Sequence, residues 1–259
     1  MAGRIAAVTK QAIRERVWSL LQRRRVARFP GASGRIPNFI GAEAAADRLA
    51  SLPEWAAARV IKANPDAPQL PVRARALAEG KRLYMAWPRL AHDKPFILVD
   101  PRRLTASARQ AASIKGATAA GRQVSVSQMA HIDLVVSGTV AVNREGVRIG
   151  KGGGFSDLEF ALLEEAGLID RQTVLVTTVH PLQVLAGELP ETAHDYRVDI
   201  IVTPDEVIRT KGHKRPRGII WRDLDAEKIA EIPVLSALAA ARRVGAATTR
   251  RRPDPFRCA

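Results

Sequence analysis

The sequence predicts an α/β fold on three observations. Short aliphatic and β-branched runs at 60–61, 82–87, 96–99, 133–142, 174–179 and 198–202 alternate with segments of helical period, as strands do when helices cross between them. A glycine-rich stretch, 150–154, joins one such run to one such helical segment. The chain has 259 residues, 46% of them hydrophobic, enough for a core without covalent staples, as one large α/β domain or two small ones.

Taken in order, Thr9 is suited to cap a first helix. Ile13, Val17, Leu20 and Leu21 then recur on one face to about Val26. Lys10 and Arg14, four apart, share a side from which both could reach one anion; a solvated basic face has the same spacing. Phe29–Gly41 is an irregular connector rich in Gly and Pro. Residues 42–51 are alanine-rich and helical, and Pro53-Glu54-Trp55 starts another helix with Pro in its first turn. Val60-Ile61 begins a strand, and Asn64–Pro68 is the loop at its end, where ligands lie in an open parallel sheet. A helix over 71–79 and strands over 82–87 and 96–99 follow. Residues 100–130, rich in Arg, Ala, Ser and Gln, carry no clear period and leave open a lid or an insertion with weak helix. Residues 133–142 read as one or two strands, 157–167 as a helix, and 174–179 and 198–202 as buried strands. Gly218–Trp221 is expected to be a further short strand, and 226–243 the last helix. The expected division is a domain over 1–243 and a basic tail over 244–259 without fixed structure.

The most informative segment is Val147-Arg148-Ile149-Gly150-Lys151-Gly152-Gly153-Gly154-Phe155-Ser156-Asp157. Glycines let a backbone take positive φ and bring several N–H groups onto one anion, and a helix start adds its dipole. Arg148 and Lys151 suit phosphate oxygens, and a single Asp157 beside them suffices for Mg²⁺, which takes its other ligands from phosphate and water. A plain strand-to-helix turn with a capping Asp has a similar look. The spacing fits neither a P-loop, which ends in Gly-Lys-Ser/Thr, nor a dinucleotide fingerprint. His194-Asp195-x-x-x-Asp199 sets acids before another strand; Asp195 could join Asp157 around a metal with His194 orienting it, although acids also cap such turns. No nucleophile triad assembles around Ser156 or Cys258.

The formal charge of +15, from 41 Lys and Arg against 26 Asp and Glu, favours polyanionic partners without choosing among nucleotides, polyglutamylated cofactors and nucleic acid. Arg23–Arg25 and Arg28 near one end, and Arg242, Arg243, Arg250–Arg252 and Arg257 near the other, hold much of it. A single cysteine, Cys258, excludes an intrachain disulfide framework, and no apolar run nears the ~20 residues that span a bilayer. The opening residues lack a secretory apolar segment, so the expected location is cytoplasmic, with no membrane partner.

Together, Lys10-x-x-x-Arg14, the Gly146–Asp157 segment and His194-Asp195-x-x-x-Asp199 resemble the 5-formyltetrahydrofolate cyclo-ligase (methenyltetrahydrofolate synthetase) family over roughly residues 9–210. The similarity is nearest to its methenyltetrahydrofolate synthetase domain-containing branch, through Arg35–Gly41, Asn64-Pro65-Asp66 and Lys214–Ile219. The added RNA-recognition domain of some members of that branch is not expected here. The resemblance implies a single domain with a mixed, mostly parallel sheet flanked by helices, ATP and Mg²⁺ as cofactors, a reduced folate as substrate, and closure of 5-formyltetrahydrofolate to 5,10-methenyltetrahydrofolate. In that chemistry the formyl oxygen attacks the γ-phosphorus, and N10 then displaces phosphate. By position, Lys10, Arg14, Arg148, Gly150, Lys151, Gly152, Gly153, Gly154 and Phe155 would hold ATP, with Arg148 and Lys151 acting in catalysis. Asp157 and Asp195 would hold Mg²⁺; Gln69, Lys151 and Phe155 would contact folate. Phe155 and Ser156 stand where the family usually has two tyrosines, Gly153 where some members have a cation, and Gln69 where it has a folate-gripping Glu. The alternatives are a non-catalytic nucleotide or folate sensor, an RNA-binding protein of the same fold using Lys211, Lys214, Arg215 and Arg217, which is the less favoured partner reading, and an ATP-dependent enzyme on another acid.

Overall fold

In the computed structural model, which describes residues 9–211 and 214–249 and only the backbone of 244–249, Thr9 caps the first helix by accepting the Ala12 amide at 3.2 Å. That helix, α1 (Lys10–Arg23), buries Ile13, Val17, Trp18 and Leu21. It stops short of Val26 because Arg25 turns to a φ of 54°. Trp18 is buried in place of the expected Leu20, and its indole donates to the Arg35 carbonyl at 2.9 Å, anchoring the connector.

Helices α2 (Ala42–Ala50) and α3 (Pro53–Ala57) lead into β1 (Val60–Ala63), followed by α4 (Leu70–Ala78), β2 (Arg82–Ala86) and β3 (Phe96–Val99). The unreadable stretch 100–130 contains α5 (Ala108–Ala111), α6 (Ile114–Ala120) and β4 (Arg122–Val124). Both helices are too short to show a period; capping serines start them, Ser107 accepting from Gln110 and Ser113 from Gly116. The run 133–142 divides into β5 (Leu134–Ser137) and β6 (Ala141–Asn143), which belong to different sheets. The rest are β7 (Arg148–Ile149), α7 (Phe155–Glu165), β8 (Val174–Thr178), β9 (Val184–Leu185), β10 (Ile200–Val202), β11 (Val207–Arg209), α8 (Ala226–Glu231) and α9 (Pro233–Thr249).

The main sheet has the order β11-β10-β8-β5-β1-β2-β3-β4, and β7-β6-β9 form a small second one. The central strands β10, β8, β5, β1 and β2 are parallel, while β3, β4 and β11 close the edges antiparallel. The sheet is therefore mixed and mostly parallel, flanked by helices. One face packs Leu175 and Ile201 against α7 and the α8–α9 arm. The other packs Ile61, Leu83 and Val136 against Leu49, Trp55, Val72 and Ala117 of the α2–α6 layer. Helix α1 instead seats Ile13, Val17 and Leu21 against Val140, Ala141 and Ile149 of the small sheet. From β1 the chain winds one way to β2 and the other way through β5, β8 and β10. The order thus reverses between β1 and β5, where a crevice opens at the carboxyl ends of parallel strands.

Two expectations are corrected. Gly218–Trp221 is not a strand: Gly218 has a φ of +65°, the Ile219 amide is taken by Glu165 Oε2 at 3.1 Å, and the Trp221 amide bonds the Ile219 carbonyl as a helical turn begins. The helix expected over 226–243 is broken at Ile232, which is extended (φ −108°, ψ 105°) because Pro233 follows, and α9 then continues to Thr249. Strands β9 and β11, two and three residues long, escape any periodicity. The opening residues, the basic run Arg250–Arg252, Arg257 and Cys258 lie outside the described residues. Among those described, no helix is long and apolar enough to cross a membrane.

Arg73 of α4 holds the loop after β1. Only 2% exposed, it donates from Nε to the Ala112 carbonyl at 2.9 Å and from Nη1 to the Asn64 and Asp66 carbonyls at 2.5 and 2.9 Å. Burial pulls its pKa down to about 10, and Asp66 partly opposes this, so it stays charged at neutral pH. Arg73→Met is expected to lower the unfolding free energy by about 3 kcal/mol, because it strips donors from three carbonyls; denaturant titration measures this, and a loss within error of zero would refute the role.

Candidate functional site

A cavity of about 600 Å³ lies in the crevice, between the loops after β1 and β5, the glycine loop and the 192–195 turn. Lys10, Arg14, Arg148, Gly150, Lys151, Gly152, Gly153, Gly154, Phe155, Asp157 and Asp195 all line it. Residues far apart in sequence meet here because α1, β7 and the turn before β10 converge on the sheet's reversal point. Gln69 is not among them. It is fully buried at the start of α4, its amide donating to Thr178 Oγ1 of β8 at 3.3 Å, and its Oε1 has no hydrogen-bond partner. The carboxylate that faces the cavity from this loop is Asp66, three residues earlier, which accepts Lys151 Nζ at 3.0 Å.

Arg148 is 4% exposed, and its guanidinium is fixed on several sides. Nη1 donates to the Gly138 carbonyl and Nη2 to Asp157 Oδ1, both at 2.9 Å. The guanidinium lies 4.6 Å from the Tyr196 ring centroid. Tyr196 is itself held, stacked on Phe160 with centroids 4.5 Å apart and its hydroxyl between Ser137 Oγ at 2.8 Å and Ser156 Oγ at 2.9 Å. The glycine loop is shaped around cations as well. Arg14 Nε donates to the Gly150 carbonyl at 2.7 Å, and Lys228 Nζ to the Gly153 carbonyl at 3.1 Å. Gly152 and Gly154 take φ values of +109° and +69°, and Gly154 is the left-handed cap from which α7 starts. A Cβ on Gly152 would come to 3.4 Å from Arg14 Cζ.

The two acids differ. Burial pushes the Asp157 carboxyl up and nearby Asp195 adds to the rise, together outweighing the pull of Arg148. Burial works on Asp195 in the same direction but is overcome there by hydrogen bonds from Lys10 and from Thr192, whose amide and hydroxyl reach Oδ2 at 2.6 and 2.8 Å, so its carboxyl sits below the usual range. His194 Nε2 bonds Thr192 Oγ1 at 3.0 Å, steadying that network. Asp199 does not join it: Asp199 caps the Leu175 amide and pairs with Arg215, each at 2.8 Å.

Among the described residues no three His, Cys, Asp or Glu side chains gather as a metal cluster. The donor set still suits Mg²⁺ with a polyphosphate. Two carboxylates share the cavity with the glycine loop, and Mg²⁺ commonly takes only one or two protein carboxylates. Arg148 Nε is a buried donor without a protein acceptor, and the positive φ of Gly152 and Gly154 opens a backbone cradle.

Sequence reasoning missed the polar floor. Glu159 lines the cavity, is 5% exposed, and pairs with Lys62 of β1 while accepting Asn64 Nδ2 at 3.1 Å. Asn64 Oδ1 in turn accepts the Gly138 amide at 3.1 Å, tying the β1 loop to the β5 loop. A lysine inside a buried strand and a glutamate beside the apolar face of α7 were the available signals. Tyr196 gave none, since its place under Arg148 depends on the Val147–Arg197 bridge that joins distant segments.

The model of the 5-formyltetrahydrofolate cyclo-ligase family matches residues 6–204. The methenyltetrahydrofolate synthase domain-containing protein of Mus musculus is 40% identical over 237 residues, covering 89% of this chain and 63% of that protein. Its Homo sapiens counterpart is 36% identical over 247 residues, covering 93% and 64%. The chain thus spans under two thirds of the length of these relatives. Among solved structures, the NMR structure of Aquifex aeolicus 5,10-methenyltetrahydrofolate synthetase shares the fold, with a TM-score of 0.50 at 21% identity over 79% of this chain and 94% of that one.

The carboxylate environments predict opposite pH behaviour. Asp195, held below the unfolded-chain value of about 3.9, contributes stability that is present above that value and lost as pH falls through the depressed one. Asp157, held above it, contributes stability that is present below about 3.9 and lost as pH rises through its folded value. Carboxyl ¹³C titration should show Asp195 ionising first, and Lys10→Met should move Asp195 upward. The reverse order in the parent protein would overturn the assignment.

Proposed function

The chain belongs to the 5-formyltetrahydrofolate cyclo-ligase family, and from that membership we propose that it closes 5-formyltetrahydrofolate to 5,10-methenyltetrahydrofolate using ATP and Mg²⁺. The observation that carries the proposal is one cavity at the sheet's reversal point, in which Lys10, Arg14, Arg148 and Lys151 meet a glycine cradle and two carboxylates. Bound there, ATP with Mg²⁺ would supply an electrophilic γ-phosphorus to the formyl oxygen with ADP as the leaving group, and phosphate would leave with that oxygen as N10 closes the ring.

The protein's own part is positioning and charge neutralisation. Arg148 enters the reaction already oriented, since Gly138, Asp157 and Tyr196 fix its plane, and little reorganisation is left for the moment when charge builds on the transferring group. Lys151 is by comparison half-exposed, a point charge on a flexible stem. It is held by Asp66 at 3.0 Å and can exchange that carboxylate for a phosphate oxygen. That exchange frees Asp66, an acceptor-only group suited to the amino and ring N–H donors of a pterin, the role expected of Gln69. Phe155 and Trp87 both line the cavity, and aromatic side chains there suit a flat ring. Asp157 and Asp195 would hold the metal, Asp157 through the oxygen that Arg148 does not take and Asp195 by exchanging Lys10 for it.

The test is a rise in methenyl absorbance when the protein is mixed with 5-formyltetrahydrofolate, ATP and Mg²⁺; tight ATP binding with no turnover would sink the proposed reaction. Asp157→Asn keeps an acceptor for Arg148 and is expected to cut kcat at least about 100-fold with the fold intact. Asp66→Asn should raise the KM for folate by about tenfold, the cost of exchanging a charged acceptor for a neutral one, and leave the KM for ATP within about twofold.

A further inference from the structure

The family match ends at residue 204, yet the later segment from Pro216 to Lys228 reaches the back of the glycine loop, where the two enclose a smaller cavity of about 200 Å³. Among the described residues, Lys228 is the one of that segment that hydrogen-bonds the loop, its Nζ donating to the Gly153 carbonyl at 3.1 Å. We infer that Lys228 is a positioning residue: from outside the matched region it orients the Gly153–Gly154 peptide for a phosphate oxygen and steadies Phe155 for the substrate ring. The inference rests on the polyphosphate reading of the first cavity.

Peptide geometry is the first argument. The Gly153–Gly154 bond is trans, so its carbonyl and the N–H that follows point in opposite directions. Lys228 lines the rear cavity and not the first, and a Gly153 carbonyl drawn to it therefore sends the Gly154 N–H toward the first. That amide takes no acceptor among the described residues. It belongs to the left-handed cap from which α7 starts, where the helix dipole adds to its pull on an anion.

The ring is the second. Lys228 Nζ lies 4.3 Å from the centroid of Phe155, and Gly153 leaves that ring its room, since a Cβ there would stand 3.0 Å from Phe155 Cδ2. One ammonium thus fixes a carbonyl and a ring without itself lining the first cavity.

The third argument is where the lysine sits. Asp225 caps α8 by accepting the Lys228 amide at 2.6 Å, which sets the residue in the first turn of the helix. A cation is disfavoured there, because the dipole presents its positive end. Such a conflict with local preference is expected where a contact elsewhere is required. Both flanks of the segment are anchored, by Glu165 of α7 accepting the Ile219 amide at 3.1 Å and by the fully buried Ile232 and Leu235. Lys228 reaches the loop from a fixed base.

Calorimetric titration of the full chain with inorganic tripolyphosphate and Mg²⁺ tests the peptide role, in about 0.5 M salt so that loss of a remote charge is screened. Lys228→Met should weaken binding about tenfold, the worth of one charge-assisted hydrogen bond, with the denaturant midpoint unchanged, and Lys228→Arg should restore it to within about threefold. The same titration with 5-formyltetrahydrofolate tests the ring role. Lys228→Met should weaken that binding about threefold in the parent and not at all in a Phe155→Leu background, a coupling that general loss of structure does not produce. Should the folate effect survive in the Phe155→Leu background, the ring role is overturned. If Lys228→Met binds tripolyphosphate as tightly as the parent, or loses affinity only in step with its denaturant midpoint, the inference is wrong and the phosphate site stands. A parent that binds neither tripolyphosphate nor ATP overturns the reading of the first cavity, and the role of Lys228 with it.

Discussion

The site depends on one buried charge. Arg148 sits on a two-residue strand with its guanidinium almost wholly removed from water, and an unpaired charge there would cost several kcal/mol. The neighbours that offset this cost are the components of the cavity: the Gly138 carbonyl from the end of β5, the Asp157 carboxylate from the first turn of α7 and the ring of Tyr196. Satisfying the guanidinium therefore assembles the site. The same contacts explain why Phe160 and Ser137, which do not belong to the glycine loop, matter to it, since they hold the tyrosine in place.

A second layer of buried polarity supports the first. Lys62 and Glu159, both nearly inaccessible, link β1 to α7, and Asn64 carries the link onward to Gly138. Arg73 fixes the same loop from the opposite side of the sheet. A core built for stability alone would place aliphatic residues at these positions, because replacing a buried ion pair with well-packed apolar groups is often neutral or better. Polar groups here cost stability but set the loops at the carboxyl ends of β1 and β5 in a single geometry.

Much of this was legible in the residues. Thr9 as a cap, the β-branched runs of the parallel strands and the opening of α7 by the glycine loop follow from local chemistry, and they are where they were expected. Local chemistry failed where tertiary partners decide. The amide of Ile219 could have joined a strand had Glu165 not claimed it, and the helices of 108–120 are too short to announce themselves. The residues that the family resemblance implied line one cavity, with one exception: Gln69 and Asp66 lie on the same short loop, and only the three-dimensional path of that loop decides which of them faces the cavity.

The ion pair between Lys10 and Asp195 joins partners 185 positions apart. During synthesis from the amino end, α1 emerges early as a basic amphipathic helix, but the acid that receives its lysine, and Ile149 against which its apolar face packs, are added far later. Ribosomes lengthen chains by some 5–20 residues per second, so for roughly ten seconds or more Lys10 lacks the acid that it pairs with in the fold. A nascent chain that pauses before residue 195 would carry the basic helix without the acid that closes the cavity over it. Fidelity of assembly in this architecture is thus a matter of translation timing as well as of energy.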